Sequence, residues 1–163
     1  GLAVDAFSSA EGEAIARLTA DLMADGSAQP LVSLVATIGG RVVGHVMFST
    51  ARIDGAAQEV PAALLAPLAV HPDVQARGIG GRLVVEGLGR LKRAGVGLVF
   101  VLGHPGYYPR FGFIEAGANG FSAPYPIPPE NAAAWMVQAL RPGLLGAVPG
   151  RVVCADALDK RST

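Results

Sequence analysis

The stretch that decides the fold is VHPDVQARGIGGRLV, residues 70–84. An apolar run, LLAPLAV, leads into it, and the run RLVVEGLGRLKRAG that follows has apolar residues at helical spacing. Gly78, Gly80 and Gly81 therefore stand close together between a buried strand and a helix. Because glycine destabilises regular structure, such a cluster indicates a backbone shape or a close approach that a Cβ atom would block.

A glycine turn at the start of a helix directs backbone N–H groups and the positive end of the helix dipole toward one spot. This arrangement predicts an anion site, most often for phosphate. A Walker loop is excluded because Arg82 and Leu83, rather than Lys and Ser or Thr, follow the glycines. A dinucleotide fingerprint is excluded because Leu83 stands where its third glycine is required. A tight strand–helix turn without a ligand is the alternative interpretation.

The pattern that remains, Gln75-x-x-Gly78-x-Gly80, resembles the signature of the GNAT superfamily of N-acetyltransferases. That signature is Gln or Arg, two residues, Gly, one residue, and then Gly or Ala. A second motif, YPRFGF at residues 108–113, resembles the Tyr-x-x-x-Gly-Phe run that superfamily members carry after the next strand. The run from 66 to 113 looks like the YhbS-like branch of predicted bacterial N-acetyltransferases. The resemblance covers about residues 30–115 closely, and the tail only in its strand pattern.

The resemblance implies an α/β (α+β) fold in which helices flank a mixed, mostly antiparallel sheet that is splayed at the cofactor strand. It also implies a single acetyltransferase domain over residues 1–163. We expect the first strand of the superfamily fold to precede Gly1, since no matching segment stands at this end of the sequence.

The residue pattern predicts a helix at 9–25 and then two β-rich runs, LVSLVATI and RVVGHVMFSTARI. Gly39 and Gly40 join these runs, and two glycines in that position indicate a tight hairpin. The apolar run 64–70 predicts a central strand, within which Pro67 indicates broken pairing because proline cannot donate to a ladder.

After the glycines, the pattern predicts a helix that Gly95 ends and a buried strand in VGLVFVLG. The segment 103–112 is rich in proline and glycine, so it has room only for a short turn or a single helical turn. Two further strands are predicted in the tail, AWMVQAL and RVVCADAL.

The resemblance implies transfer of an acetyl group from acetyl-CoA to a primary amine by direct attack, without a covalent enzyme intermediate. Backbone groups of Leu68 and Val70 would pair with the pantetheine arm. The pyrophosphate would bind the loop amides, which are those of Gln75, Arg77, Gly78, Ile79, Gly80 and Gly81. The side chain of Arg77 or Arg82 would add a charge-assisted contact, or would simply be solvated.

The departing sulfur benefits from a proton donor, and a tyrosine hydroxyl, whose unperturbed pKa is about 10, can act as that general acid. Tyr108 occupies the position of the superfamily's acid. Tyr107 is the neighbour that would take the role if the turn were rotated. For either residue, the alternative is a half-buried aromatic whose hydroxyl bonds to the backbone.

The general base is not visible in the sequence. By residue type alone the candidates are His45, His71 and His104. His104 lies nearest to the tyrosines, although a capping role explains it equally well. No histidine has a partner at metal-ligand spacing, so we predict no metal.

Cys154 is the only cysteine of the sequence, so an intrachain disulfide is ruled out. This is compatible with a cytoplasmic location. We expect Cys154 to be a buried core thiol.

Thirteen basic and thirteen acidic residues cancel, so no net charge draws the chain to nucleic acid or to an anionic membrane. No apolar run is long enough to span a bilayer.

The carboxylates are scattered along the sequence, so small-molecule amines, peptide N-termini and protein lysines all stay open as acceptors. A homodimer also stays open. The resemblance places the proline-rich segment 122–130 beside the acceptor site. A non-catalytic acyl-CoA-binding module and a phosphate-ligand sensor are the alternative functions.

Overall fold

The computed structural model describes residues 9–29, 32–55, 59–145 and 149–155. Within this part of the chain, helices α1 (Ser9–Ala24) and α2 (Ile79–Arg93) flank an eight-stranded sheet. The strands are β1 (Val32–Ile38), β2 (Arg41–Asp54), β3 (Ala62–Val70), β4 (Leu98–Leu102), β5 (Ile114–Glu115), β6 (Phe121–Ser122), β7 (Trp135–Ala139) and β8 (Gly150–Val153). Neither helix is long and apolar enough to cross a membrane, as far as the described residues go.

The strand order is β5-β7-β4-β3-β2-β8-β6, and β1 pairs with β2 beside this path. Only the β3–β4 and β6–β8 pairs are parallel within the described sheet. Leu22 of α1 packs in the same core cluster as Phe100, whereas Val84 of α2 packs in the same cluster as Val99. Because neighbouring residues of β4 point to opposite faces, the two helices cover opposite faces of the sheet. The predicted fold class, mixed and mostly antiparallel with flanking helices, is confirmed.

The predicted hairpin is present as β1 and β2, whose register ends with Ile38 opposite Arg41. Gly39 and Gly40 form the two-residue turn with φ of +57° and +80°. A type I′ turn requires positive φ at both central residues, which glycine adopts without steric cost. The sequence prediction at this point is therefore confirmed together with its physical reason.

Pro67 marks a β-bulge in the central strand. The β2–β3 register shifts by one residue, so that Ala66 and Pro67 stand opposite Met47. Before the shift, the side chain of Leu64 packs on the α1 face; after it, the side chain of Leu68 packs on the α2 face. The predicted break in pairing is confirmed, and its consequence is that the end of β3 turns its side chains toward α2.

The sheet is splayed between β3 and β4. Their parallel register ends where Leu64 faces Phe100, although β3 continues to Val70 and β4 to Leu102. A gap therefore opens in the middle of the sheet beyond this pair, at the carboxyl ends of two adjacent parallel strands. This splay at the predicted cofactor strand is confirmed.

The remaining elements lie close to their predicted positions. Helix α2 ends one residue before its C-cap Ala94, and Gly95 follows with φ of +92°. The segment 103–112 holds a single 3-10 turn, at Tyr108–Phe111. Strand β8 covers the start of the predicted run RVVCADAL, of which residues 156–158 lie outside the described part of the chain. The short strands β5 and β6 were not predicted.

Candidate functional site

A cavity of about 640 Å³, here called the loop cavity, lies between the end of β3, the start of α2 and the turn at Tyr108–Phe111. Seven of the nine predicted cofactor-binding residues line it together. They are Leu68, Val70, Gln75, Gly78, Ile79, Gly80 and Gly81, and Val74, Ala76, Tyr107, Arg110 and Phe111 complete the wall. The sequence motif and the splayed strand thus meet at one place.

The backbone of the loop is shaped to expose N–H groups. Ala76 and Gly78 adopt left-handed conformations, with φ of +67° and +77°. Alternation of this kind forms concave anion-binding nests, and a non-glycine residue in this region is strained, as is frequent at functional sites. The first helical bond runs from the Arg82 amide to the Gly78 carbonyl, so the amides of residues 79–81 have no acceptor within the helix.

Two glycines also allow a close approach between α2 and the tyrosine turn. A Cβ atom on Gly80 would lie 2.9 Å from the hydroxyl oxygen of Tyr107, and one on Gly81 would lie 3.3 Å from the ring of Phe111. The first distance is shorter than real Cβ contacts, so a larger residue at position 80 would displace the Tyr107 hydroxyl. The glycine cluster therefore allows close packing of the tyrosine turn in addition to presenting its amides.

The end of β3 presents backbone polar groups to the gap. The His71 amide donates to the Val43 carbonyl at 2.8 Å, and antiparallel pairs alternate, so the polar groups of Val70 point away from β2. The side-chain amide of Gln75 confirms this direction because its Nε2 donates to the Val70 carbonyl at 3.0 Å. The backbone amide of Gln75 bonds at 3.4 Å to the Pro72 carbonyl, so the turn already uses it.

The structure separates the predicted arginines from the cavity. Arg77 and Arg82 are exposed, and neither lines the loop cavity; Arg82 instead borders a second groove between α2 and β1. Arg110 is the cation in the cavity wall. Sequence reasoning missed Arg110 as a site residue, although its place in the run YPRFGF, two residues after Tyr108, was an available signal.

The two adjacent tyrosines have different surroundings. Tyr108, the predicted acid, is 8% exposed, packs against Phe113 and does not line the loop cavity. Burial, and to a smaller extent the neighbouring Tyr107, raises the pKa of Tyr108 to about 12. Tyr107 is half-buried and lines the cavity, with its hydroxyl beside Gly80. Burial also raises the pKa of Tyr107, while the positive charge of Arg110 lowers it.

None of the three histidines lines the loop cavity. His45 is buried in β2, where its Nε2 and the Ser33 hydroxyl hydrogen-bond at 2.9 Å, and burial lowers its pKa. The Nδ1 atoms of His71 and His104 each accept a hydrogen bond from the amide two residues later in the chain. His71 thereby caps the 3-10 turn Pro72–Val74, whereas the His104 bond stabilises only the turn before Tyr107. The described residues contain no group of three side chains arranged to hold a metal ion.

A second cavity of about 620 Å³, here called the proline cavity, is formed by the segment 117–127 together with β7 and β8. Its wall contains Tyr125, Ile127 and Trp135, and no carboxylate is present among the described residues that line it. The guanidinium of Arg151 donates to the Pro124 carbonyl at 2.9 Å across one end. Ile127 and Trp135 belong to the core cluster on the α1 face, so the two cavities lie on opposite faces of the sheet.

The site matches a known protein family. A family model described as an acetyltransferase (GNAT) domain matches residues 5–116. An uncharacterized N-acetyltransferase of Escherichia coli K12, YjhQ, is 46% identical over 142 residues, which cover 86% of this chain and 78% of the relative.

Two solved structures share both the sequence pattern and the fold. The GNAT family N-acetyltransferase YhbS from Escherichia coli, solved in complex with CoA, is 33% identical with a TM-score of 0.83, covering 97% of this chain and 83% of that one. A GNAT family acetyltransferase from Brucella melitensis, solved in complex with acetyl-CoA, is 33% identical with a TM-score of 0.64, covering 93% of this chain and 80% of that one.

Proposed function

The chain belongs to the GNAT family of acetyltransferases, and we propose that it transfers the acetyl group of acetyl-CoA to a primary amine. The observation that carries the proposal is the loop cavity. There the amides of residues 79–81, which have no acceptor within the helix, and the edge of β3 beyond its pairing with β4 face the same space. The CoA and acetyl-CoA complexes of the two similar structures support the same ligand.

The residues of the loop cavity fit acetyl-CoA. We assign the pyrophosphate to the amides of Ile79, Gly80 and Gly81, at the positive end of α2, where the glycines leave room for it. The pantetheine arm is assigned to the backbone of Leu68 and Val70, whose edge has no strand partner in the described sheet. A volume of about 640 Å³ is in the range of cofactor pockets.

When bound, acetyl-CoA supplies a thioester, whose acetyl group can pass to an amine as the free thiol leaves. We propose direct attack: the amine nitrogen forms the new bond to the acetyl carbon, and the bond from that carbon to sulfur breaks. The nitrogen loses a proton and the sulfur gains one, so the protein has to accept the first and donate the second.

We assign the proton donor to Tyr107, because its hydroxyl stands in the loop cavity beside Gly80. Tyr108 remains the competing assignment from the sequence. A thiol has a pKa of about 8.5, so donation from a phenol with a pKa of about 12 is uphill by about 3.5 units. That penalty, together with burial, makes Tyr108 the weaker candidate.

We assign the acceptance of the amine proton to solvent water. None of the described residues that line the loop cavity has an imidazole or a carboxylate. The amine then has to enter in its neutral form, so we expect the rate of acetyl transfer to rise with pH.

The amine acceptor is assigned to the proline cavity, on the opposite face of the sheet. Trp135 of its wall pairs with Leu102, the last residue of β4, directly beside the gap between β3 and β4. An amine that approaches through this gap would meet the acetyl group from the side away from α2. The wall is mostly apolar and aromatic, its charged residue is the cation Arg151, and its described residues include no carboxylate, which favours an amine with an apolar body over a polycation.

A non-catalytic acyl-CoA-binding module is the second candidate function. The lack of a side-chain base in the described wall of the loop cavity favours it, since a binding module needs none. The two functions share the same ligand and the same cavity, so only turnover separates them.

The test is an acetylation assay with purified protein, acetyl-CoA and a panel containing an arylalkyl monoamine, a polyamine and a lysine-containing peptide. Thiol release is followed with a chromogenic thiol reagent, and mass spectrometry identifies the acetylated amine. The proposal expects thiol release that requires an amine and a matching gain of one acetyl group. Tight binding of acetyl-CoA without amine-dependent release would establish the binding module instead.

A further inference from the structure

Arg110 is the only charged residue among the described residues that line the loop cavity. Its side chain is exposed, and it forms no ion pair with a carboxylate within the described chain. A structural ion pair therefore does not account for the arginine. Its contacts are instead directed at Tyr107 and at the backbone of the same turn.

Three contacts fix the guanidinium. Its Nε donates to the Tyr107 carbonyl at 2.9 Å, and its Nη2 donates to the Gly106 carbonyl at 3.2 Å. The guanidinium carbon lies 4.8 Å from the centre of the Tyr107 ring. A planar, forked cation can stack on a ring and bond two carbonyls at once, whereas a lysine ammonium cannot reproduce this geometry.

The Tyr107 ring is held by these contacts together with two aromatic neighbours. The ring of Phe111 meets it edge-on at 5.2 Å and that of Tyr108 at 5.1 Å. With the ring confined in this way, its hydroxyl oxygen lies next to Gly80, at the start of α2. The orientation of the hydroxyl thus depends on a set of contacts in which Arg110 supplies the polar ones.

We propose that Arg110 is a positioning residue for the transfer reaction. Its guanidinium holds the Tyr107 ring so that the hydroxyl lies against the glycine loop. It also places a positive charge next to this ring, which becomes a phenolate when the hydroxyl gives up its proton. This inference rests on the proposed function, because it assigns the proton donor to Tyr107. It adds a residue whose side chain acts through the tyrosine rather than on the acceptor.

The electrostatics of the wall agree with this geometry. The positive charge of Arg110 lowers the pKa of Tyr107, against the larger upward effect of burial. The other described residues that line the loop cavity are uncharged, and the turn of Tyr107 also contains the titratable His104, whose carbonyl accepts from the Tyr107 amide at 3.0 Å. Strand β3 contributes apolar side chains, the loop contributes the neutral Gln75, the start of α2 contributes glycines, and its own turn contributes the phenol of Tyr108.

The test compares Arg110→Gln, which removes the charge, with Arg110→Lys, which keeps the charge but loses the planar stacking. The first readout is an absorbance titration of the phenols in the free protein, with each variant repeated in a Tyr107→Phe background to isolate Tyr107. We expect Arg110→Gln to raise the pKa of Tyr107 and Arg110→Lys to change it much less.

The second readout is steady-state kinetics with the best amine from the panel. We expect kcat to fall about tenfold in both variants, because both lose the ring orientation, while KM for acetyl-CoA stays within about twofold. Circular dichroism and thermal melting check that both variants fold. If Arg110→Gln does not fold, Arg110→Lys alone still decides the positioning role through its kcat.

The outcomes separate two failures. An active wild type whose variants keep the kcat and the phenol titration of the parent would overturn this inference and leave the proposed function intact. Variants in which only KM for acetyl-CoA rises would also overturn it, since Arg110 would then bind the ligand without positioning the tyrosine. A wild type that binds acetyl-CoA but acetylates no amine would overturn the proposed function, and this inference with it.

Discussion

The loop cavity and the proline cavity are nearly equal in volume, at about 640 and about 620 Å³, but they are built differently. Most of the loop cavity comes from one short segment, residues 74–81, and presents backbone N–H groups from a strained loop. The proline cavity also comes mostly from one segment, residues 117–127, but apolar and aromatic residues dominate its wall, and Ala132, Trp135 and Arg151 reach it only through the fold of the sheet.

This difference bears on how the sequence encodes the donor site and the acceptor site of the proposed reaction. A site made from consecutive backbone amides depends on local conformation, so a few glycines specify both its shape and its ligand. A site lined mainly by side chains can change its lining one residue at a time. We therefore expect the donor to be fixed by the fold, whereas the acceptor is fixed by the particular residues of the proline cavity.

The largest effect is expected from Gly80→Glu, which places a side chain and a negative charge in the loop cavity. Its Cβ atom alone would lie 2.9 Å from the Tyr107 hydroxyl. We expect acetyl-CoA affinity to fall by on the order of 100-fold or more, measured by titration calorimetry. The matched control is Gly89→Glu on the same helix, where the nearest atom is the flexible end of Arg93 at 3.4 Å. Equal affinity in both variants would remove the loop cavity as the donor site.

Substitution of the two tyrosines decides which one belongs to the loop cavity. We expect Tyr107→Phe to lower kcat about 100-fold, because it removes the proposed proton donor, with little change in KM for acetyl-CoA. Tyr108→Phe should cost much less, since its hydroxyl is buried outside the cavity. Steady-state kinetics of both variants with one amine is the measurement. The reverse order would restore the assignment made from the sequence.

The burial of Tyr108 in the core should make the free energy of unfolding depend on pH in the alkaline range. Its pKa is raised from 10.0 to about 12, so the unfolded chain loses this proton first as the pH rises. Stability that is fully present below pH 10 is therefore lost between pH 10 and about pH 12, by on the order of 2 kcal/mol. Urea unfolding of wild type and Tyr108→Phe across this range is the measurement. An identical pH dependence in the two proteins would contradict the burial of Tyr108.

The proline cavity should control the choice of amine without affecting the donor. Arg151→Glu introduces a carboxylate at one end of a wall that lacks one among its described residues. We expect the ratio of kcat/KM for a polyamine to that for an arylalkyl monoamine to rise about tenfold. Acetyl-CoA affinity should stay as in the wild type, which is the internal control. A loss of acetyl-CoA affinity with no change in this ratio would reverse the roles of the two cavities.

The smallest effect is expected from Gly78→Ala, which tests the strained backbone alone. No atom lies within 4 Å of its Cβ position, but φ is +77°. We expect the free energy of unfolding to fall by about 1 kcal/mol because an L-residue is disfavoured there. Gly89→Ala, in the interior of α2, should instead stabilise by about 0.5–1 kcal/mol. Urea unfolding of both variants is the measurement, and equal shifts would contradict the left-handed loop.

Much of the fold could be predicted from the sequence because local signals carried it. Gly39 and Gly40 specify the hairpin turn, and Pro67 specifies the bulge that turns the end of β3 toward α2. Seven of the nine cofactor-binding residues predicted from the glycine spacing and its family resemblance line one cavity. The short strands β5 and β6 escaped prediction because two-residue strands depend on their partners and have no periodicity of their own.

The direction of side chains could not be predicted in the same way. Tyr107 and Tyr108 are adjacent, and only the geometry of the 3-10 turn decides which one enters the cavity. The same applies to the arginines: Arg77 and Arg82 lie beside the glycine motif but face elsewhere, whereas Arg110 reaches the cavity from a separate segment. Closeness in sequence to the glycine motif therefore does not predict which charged side chains line the cavity that the motif forms.

The most direct test follows the amide resonances of glycine in protein labelled selectively with ¹⁵N-glycine, as acetyl-CoA is added. The two cavities carry glycines of their own, Gly78, Gly80 and Gly81 in one and Gly117 and Gly120 in the other. The account predicts that the amides of Gly80 and Gly81 shift with saturation while those of Gly117 and Gly120 stay in place. Saturable shifts confined to Gly117 and Gly120, or none at either set, would contradict it.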